Sequence, residues 1–160
     1  MAILPDVEQL RSLFSYDPQT GSITSRHGRV VGSVDSEGYI RIRLKKGGRH
    51  FRAHRLAFVA MLGRWPEGDV DHLNGTRHDN RWLNLREVDR KTNSQNQRQA
   101  TAQNSTSGML GVSWDSRRRR WVAQIEVDGK GRNLGRFATA EEAHRAYIAA
   151  KRQLHAGCTI

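Results

Sequence analysis

Val70-Asp71-His72-Leu73-Asn74-Gly75-Thr76-Arg77-His78-Asp79-Asn80-Arg81-Trp82-Leu83-Asn84-Leu85-Arg86, with its continuation to Asn93 and Asn96, is the stretch that decides the fold of this chain. Asp71 and His72 stand side by side at the end of a short apolar run. Asn74-Gly75 predicts a turn, because that pair tolerates positive φ at little cost. A second short strand, around residues 83–88, should lead into a polar helix with Asp89 as its N-cap. Such a strand-turn-strand-helix unit brings a His, an Asp and two Asn residues together. Oxygen ligands beside an imidazole suit a hard divalent cation and a water to be deprotonated.

These residues resemble the HNH nuclease motif, in the form found in phage and intron-associated homing endonucleases. The matching segments are Asp71-His72, Asp79-Asn80-Arg81, Asn84-Leu85-Arg86 and Asn93-Ser94-Gln95-Asn96. The resemblance spans about thirty residues and fixes several spacings at once, which makes it specific. It implies a ββα-metal fold with one metal ion. Position by position it implies Asp71 and Asn93 as metal ligands and His72 as general base. It implies that Asn84 holds the loop so that the imidazole points at the water. Many HNH enzymes end the motif with His where this chain has Asn93. That departure, common in the phage branch, favours Mg²⁺ or Mn²⁺ over softer ions, since an amide oxygen is a hard ligand. Taken without the resemblance, the same residues would make a polar hairpin capped by side-chain amides. His78 has no role in the pattern and reads as an exposed loop histidine.

The 160 residues allow one medium domain or two small ones. With 36% hydrophobic and 27% charged residues, the cores must be small. The excess of 27 Lys+Arg over 16 Asp+Glu, a formal +11, points first to a polyanion, and nucleic acid is the commonest. An anionic membrane surface would require a basic amphipathic helix with bulky apolar residues opposite, and the sequence has none. Cys158 is the only cysteine, so neither a disulfide framework nor a Cys-based zinc site is expected. With no signal peptide or membrane-length apolar run, the expectation is a soluble protein of a reducing cytoplasm, in a phage or its bacterial host.

Residues 6–14 read as a short helix carrying Val7, Leu10, Leu13 and Phe14 on one side, with a turn and a strand at 22–25 after it. Residues 38–44 alternate, with Ile40, Ile42 and Leu44 facing one way and Arg41 and Arg43 the other. Their expected partner is 49–53 across a Lys45-Lys46-Gly47-Gly48 turn. Arg41, Arg43, Lys45, Lys46, Arg49 and Arg52 then form one basic hairpin, read as a phosphate-contacting ribbon. Residues 54–62 read as a buried helix ended by Gly63, with His54 structural at its start. Residues 1–98 are read as the nuclease module, with its ββα-metal core at about 69–98, and polar residues 99–107 as a linker.

From Met109 the pattern changes. Strands are expected at 112–114, 121–127 and 132–137, the first two joined through Arg117-Arg118-Arg119-Arg120. Thr139 should cap a helix, with Glu142 completing a capping box and Ala143, Tyr147, Ala150 and Leu154 forming an apolar stripe. Gly111-Val112-Ser113-Trp114, the Trp121 strand, Asn133-Leu134-Gly135-Arg136-Phe137 and the helix start at Thr139 resemble the AP2 DNA-binding domain over residues 108–157. The resemblance implies that the sheet enters the major groove of double-stranded DNA. The matching contact positions are Ser113, Asp115, Arg117, Gln124, Glu126 and Asn133. The four-arginine turn Arg117–Arg120 adds phosphate contacts, and Trp114 faces either bases or core, whereas Trp121 reads as core. The family's plant-type pattern has Arg and Trp at most of these places, so the mode of binding carries over and the target sequence does not.

The expectation is an α+β chain: a ββα-metal nuclease module followed by a small three-stranded antiparallel sheet with a C-terminal helix. Its function would be metal-dependent, site-preferring DNA cleavage, nicking one strand as a monomer. A non-catalytic, sequence-specific DNA-binding regulator is the alternative.

Overall fold

The computed structural model describes residues 5–44, 48–97, 100 and 106–160. They separate into two compact units, Met1–Arg90 and Lys91–Ile160. The polar helix of the nuclease motif straddles that division, so residues 91–97 belong with the second unit. No helix among the described residues is long and apolar enough to cross a membrane.

In the first unit, α1 (Val7–Arg11) starts at Asp6, whose carboxylate accepts from the Gln9 N–H at 2.9 Å. It stops at Ser12 instead of reaching residue 14. Phe14 opens β1 (Phe14–Tyr16), which pairs antiparallel with β2 (Ile23–Ser25). Strand pairing wins because, opposite Ser25, the Phe14 ring joins Leu10 and Ile23 in the core. A second sheet has the order β3 (Ser33–Val34), β4 (Ile40–Arg43), β5 (His50–Arg52). Ile42 is fully buried between exposed Arg41 and Arg43, which is the alternation expected of this hairpin.

α2 (Ala53–Leu62) is apolar nearly all round because it serves two cores. Leu56 and Val59 pack with Leu10, Phe14, Ile23 and Ile42, while Ala57 and Phe58 pack with Val70 and Leu85. Each large side chain fully buried here contributes about 1.5–3 kcal/mol, enough to lock the helix between the sheets. Gly63 ends it at φ 65°, with its N–H on the Val59 carbonyl. The packing of Val70 and Leu85 against α2 holds β6 (Asp69–His72) and β7 (Leu85–Val88), an antiparallel pair. The expected second strand starts two residues late. Residues Trp82–Asn84 form a 3₁₀ turn, because the Trp82 N–H is taken by the Pro18 carbonyl (3.0 Å) and not by a strand partner. α3 (Arg90–Gln95) follows.

The second unit contains the expected sheet, in the order β10 (Lys130–Phe137), β9 (Arg120–Val127), β8 (Val112–Asp115). α4 (Ala140–Leu154) covers one face, and its Thr139–Glu142 capping box is present in both directions. Val112, Ala123 and Ala143 form the core, and Trp121 packs against it. Small residues at this contact bring helix and sheet close: a Cβ on Gly111, at φ 70°, would lie 2.0 Å from the Tyr147 ring. The apolar stripe departs from expectation after Tyr147. Leu154 is 38% exposed, and Lys151 at 1% fills the next turn. Its ammonium donates to the Gln97 carbonyl and lies 5.9 Å from the Tyr147 ring centroid. That carbonyl lets a charged end replace an apolar residue.

Candidate active site

Asp71 and His72 lie at the end of β6, 7% and 4% exposed. Antiparallel register puts Asp71 opposite Arg86, whose Nε (2.9 Å) and Nη2 (2.8 Å) both donate to Asp71 Oδ2. This fixes the carboxylate's rotamer. The loop after His72 turns at Gly75 (φ 73°), whose N–H returns to the His72 carbonyl at 2.9 Å.

Asn84 bridges the two sides of this loop. Its Oδ1 accepts from the Asn74 N–H (2.9 Å), and its Nδ2 donates to the Asp79 carbonyl (2.7 Å). Asp79 receives Asn74 Nδ2 (2.7 Å) and both Nε and Nη2 of Arg81 (2.8 and 2.6 Å). The Arg81 hydrogen bond, aided by those of the Arg81 N–H and Asn74, holds the Asp79 carboxyl down at about 2.

Asn80, a residue to which the sequence pattern attached no role, meets the imidazole through its side chain. It is 1% exposed, and its Oδ1 lies 3.4 Å from His72 Nε2. Its Nδ2 donates to the His78 carbonyl at 3.1 Å, which orients the amide with oxygen toward the ring. The backbone here is pinned from beneath. The Tyr16 hydroxyl donates to the Asn80 carbonyl at 2.7 Å, and burial pushes that phenol up to about 12. Gly21 packs so closely that a Cβ would lie 2.5 Å from the Asn80 carbonyl carbon. Burial lowers the His72 pKa below its ordinary value, against the Asn80 contact, which raises it.

His54, expected to be structural, is buried at the start of α2 with its ring edge-on to His72, centroids 5.2 Å apart. Burial, then the neighbouring His72, Arg52 and Arg55, brings it down to about 3, so it is a neutral imidazole wall. Tyr39 completes this wall at 5.2 Å from His54 and 6.0 Å from His72. His78 is exposed, as expected.

Among the described residues no group of three or more His, Cys, Asp or Glu side chains is arranged to hold a metal ion. The donors assigned by motif position are one carboxylate, Asp71, and one amide, Asn93 on α3. Both are hard oxygen donors of the kind that divalent cations take.

The expected nucleic-acid contacts fall in two places. Arg41 and Arg52 are partners across β4 and β5, and Arg43 faces His50; Arg49 is exposed just before β5. Lys45 and Lys46 lie outside the described residues. In the second unit, Asn133 pairs with Gln124 and Ser113 with Val122, on the face of the sheet opposite the α4 core. Ser113, Gln124, Glu126 and Asn133 are exposed there. Arg117, Arg118, Arg119 and Arg120 are exposed across the β8–β9 turn, with Asp115 pairing Arg118 at 3.2 Å. Trp114 is 41% exposed and leans on Trp121, centroids 5.0 Å apart.

A β-strand pair presenting Asp-His at one end, a side-chain-tied loop and a following polar helix define the ββα nuclease class. The family models agree: residues 51–95 match the HNH endonuclease model and residues 107–157 the AP2 domain. The chain is 33% identical over 84 residues to Protein 3.8 of Escherichia phage T7, covering 52% of this chain and 68% of that protein. It is 40% identical over 83 residues to DNA endonuclease I-HmuI of Bacillus phage SP01, covering 49% of this chain but only 48% of that one. A solved structure of DNA binding and cleavage by the HNH homing endonuclease I-HmuI aligns with 81% of this chain and 75% of its own, at 25% identity and a TM-score of 0.48. The chain belongs to the HNH endonuclease family, and it carries an AP2 domain after the nuclease motif.

Proposed function

We propose that this protein is a metal-dependent, site-preferring DNA endonuclease in which His72 is the general base. The observation that carries this reading is the buried imidazole beside Asp71, with its Nε2 facing Asn80 Oδ1. Since Asn80 presents an acceptor, the neutral ring carries its proton on Nε2, and Nδ1 holds the lone pair. Nδ1 takes a proton from water, and the hydroxide attacks the scissile phosphorus in line with the 3′ oxygen. The P–O3′ bond breaks, the 3′ oxygen is protonated by solvent, and the products are 5′-phosphate and 3′-hydroxyl ends. Asn80 stabilises the imidazolium as it forms, because Nε2–H becomes a stronger donor.

By their motif positions Asp71 and Asn93 would hold one divalent ion, Mg²⁺ or Mn²⁺. When bound, it would neutralise charge developing on the phosphoryl group. Asn84 acts through the loop: by bonding both Asn74 and Asp79 it holds Asn80 against the ring.

By function, and across the structural division after Arg90, we assign residues 1–98 to the cutting module and 108–157 to the targeting module, with 99–107 as the linker. Ser113, Gln124 and Asn133 on the AP2 sheet read the duplex and Arg117–Arg120 grip phosphates, whereas Trp114 shares the core face of the strand with Val112 and pairs with Trp121. Arg41, Arg43, Lys45, Lys46, Arg49 and Arg52 are the cutting module's phosphate contacts. The test is conversion of supercoiled plasmid to open circle by the full chain in Mg²⁺. Conversion should vanish with chelator and in His72→Ala, whereas a DNA-binding regulator would give none with any metal.

A further inference from the structure

We propose that Arg77, together with Arg52, forms a guanidinium clamp on the scissile strand, Arg77 taking the phosphate to be cut and Arg52 its neighbour. The proposal rests on the endonuclease reading. Arg77 follows the Gly75 turn and is exposed. Its Cζ lies 5.0 Å from the Tyr39 ring centroid, and Arg52 Cζ lies 4.1 Å from the same centroid. Tyr39 in turn stands 6.0 Å from the His72 ring. One aromatic side chain therefore gathers two guanidinium groups beside the base.

The two arginines differ in what holds them. The Arg52 side chain pairs with the Glu37 carboxylate, an anion seated where a phosphate would bind. Arg77 donates only to the backbone carbonyl of Glu37, at 2.7 Å, and no carboxylate among the described residues pairs with it. That bond fixes the stem and spends one of five donors. Stacking on Tyr39 fixes the plane, so the remaining edge is preorganised for two phosphate oxygens. An uncompensated guanidinium beside a general base is placed for an anion that arrives with the substrate.

The experiment uses the full chain and its Arg77→Ala, Arg77→Lys and Glu37→Gln variants. Single-turnover nicking of supercoiled plasmid is measured in Mg²⁺, and binding to a short duplex across a salt series in chelator. Loss of a preorganised donor to the transition state predicts a rate about 10²-fold lower in Arg77→Ala. Affinity should change by only about threefold, with the salt slope shallower by about one contact. Arg77→Lys should recover part of both, and Glu37→Gln, which releases Arg52, should tighten binding. An unchanged Arg77→Ala rate overturns the clamp. So does an equal rate loss in Arg77→Ala and Arg77→Lys at wild-type salt slope, since the residue would then only anchor the Glu37 backbone. Wild-type cleavage and its loss in His72→Ala judge the endonuclease reading separately. If the wild type does not cut, that reading falls, and the salt slope of Arg77→Ala still decides the clamp.

Discussion

Asn84→Asp is the sharpest perturbation of the site, because it changes one atom and leaves the volume alone. The Asn74 N–H keeps its acceptor on Oδ1 (2.9 Å), but the donor to the Asp79 carbonyl (2.7 Å) becomes a second oxygen. Two oxygens cannot stay at that distance without a proton between them. One hydrogen bond is lost, at about 1 kcal/mol net, and a part-buried carbonyl is left facing an anion, which adds about 1–3 kcal/mol. The total, about 2–4 kcal/mol, should lower the urea midpoint of the first unit by about 1–2 M for an m-value near 2 kcal/mol per M. Asn80 is carried on the same loop, so its 3.4 Å contact with His72 should open and the nicking rate should fall with stability. Urea titration followed by tryptophan fluorescence, and single-turnover nicking well below the new midpoint, measure the two effects separately. A variant with a wild-type midpoint and wild-type rate would refute the argument that this side chain ties the loop.

Four further outcomes follow from the same geometry. His72→Ala should abolish nicking while duplex affinity changes little, because the base acts on water and makes little ground-state contact; Asp71→Ala should do likewise and weaken metal binding. Gly157→Ala would put a Cβ 2.2 Å from the Thr92 carbonyl and 2.9 Å from Gln95 Cβ, so α3, which carries Asn93, must shift; plasmid nicking should fall several-fold more than duplex binding. The Asp79 carboxyl is held at about 2, so its stabilisation is complete above the ordinary carboxylate range and is lost as pH falls from about 4 toward 2; Asp79→Asn should flatten that part of an acid-unfolding curve. As a monomer with one His72, the protein should cut one strand, seen by strand-specific end labelling, and simultaneous cuts at a rate rising with the square of protein concentration would contradict this.

Features set by residues close together in the chain are legible in the sequence. The alternation around Ile42, the Gly63 stop and the Thr139–Glu142 capping box each depend on residues a few positions apart, and the β6–β7 pair on a single turn-bearing loop. So does the pairing of Asp71 with His72 at a strand end. What escapes depends on partners far along the chain. Phe14 leaves its helix for Ser25 and the core, and Trp82 gives its N–H to the distant Pro18, which delays β7. Tyr16 and Gly21 support Asn80 from a hairpin that carries no nuclease signature of its own.

Two asparagines of one loop show why spacing alone falls short. The motif assigns Asn84 to the loop and leaves Asn80 without a role, since a pattern can rank them only by position. The structure separates them by what each atom faces: Asn84 uses both ends of its amide on backbone, and Asn80 uses one end on backbone and the other on the imidazole. Lys151 makes the same point in the second unit. A hydropathy stripe scores it as solvent-facing, yet its ammonium reaches the Gln97 carbonyl and its stem lies beside Tyr147. A long side chain can bury its methylenes if its charged end finds one backbone oxygen, and where that oxygen lies is set by chain more than fifty residues distant.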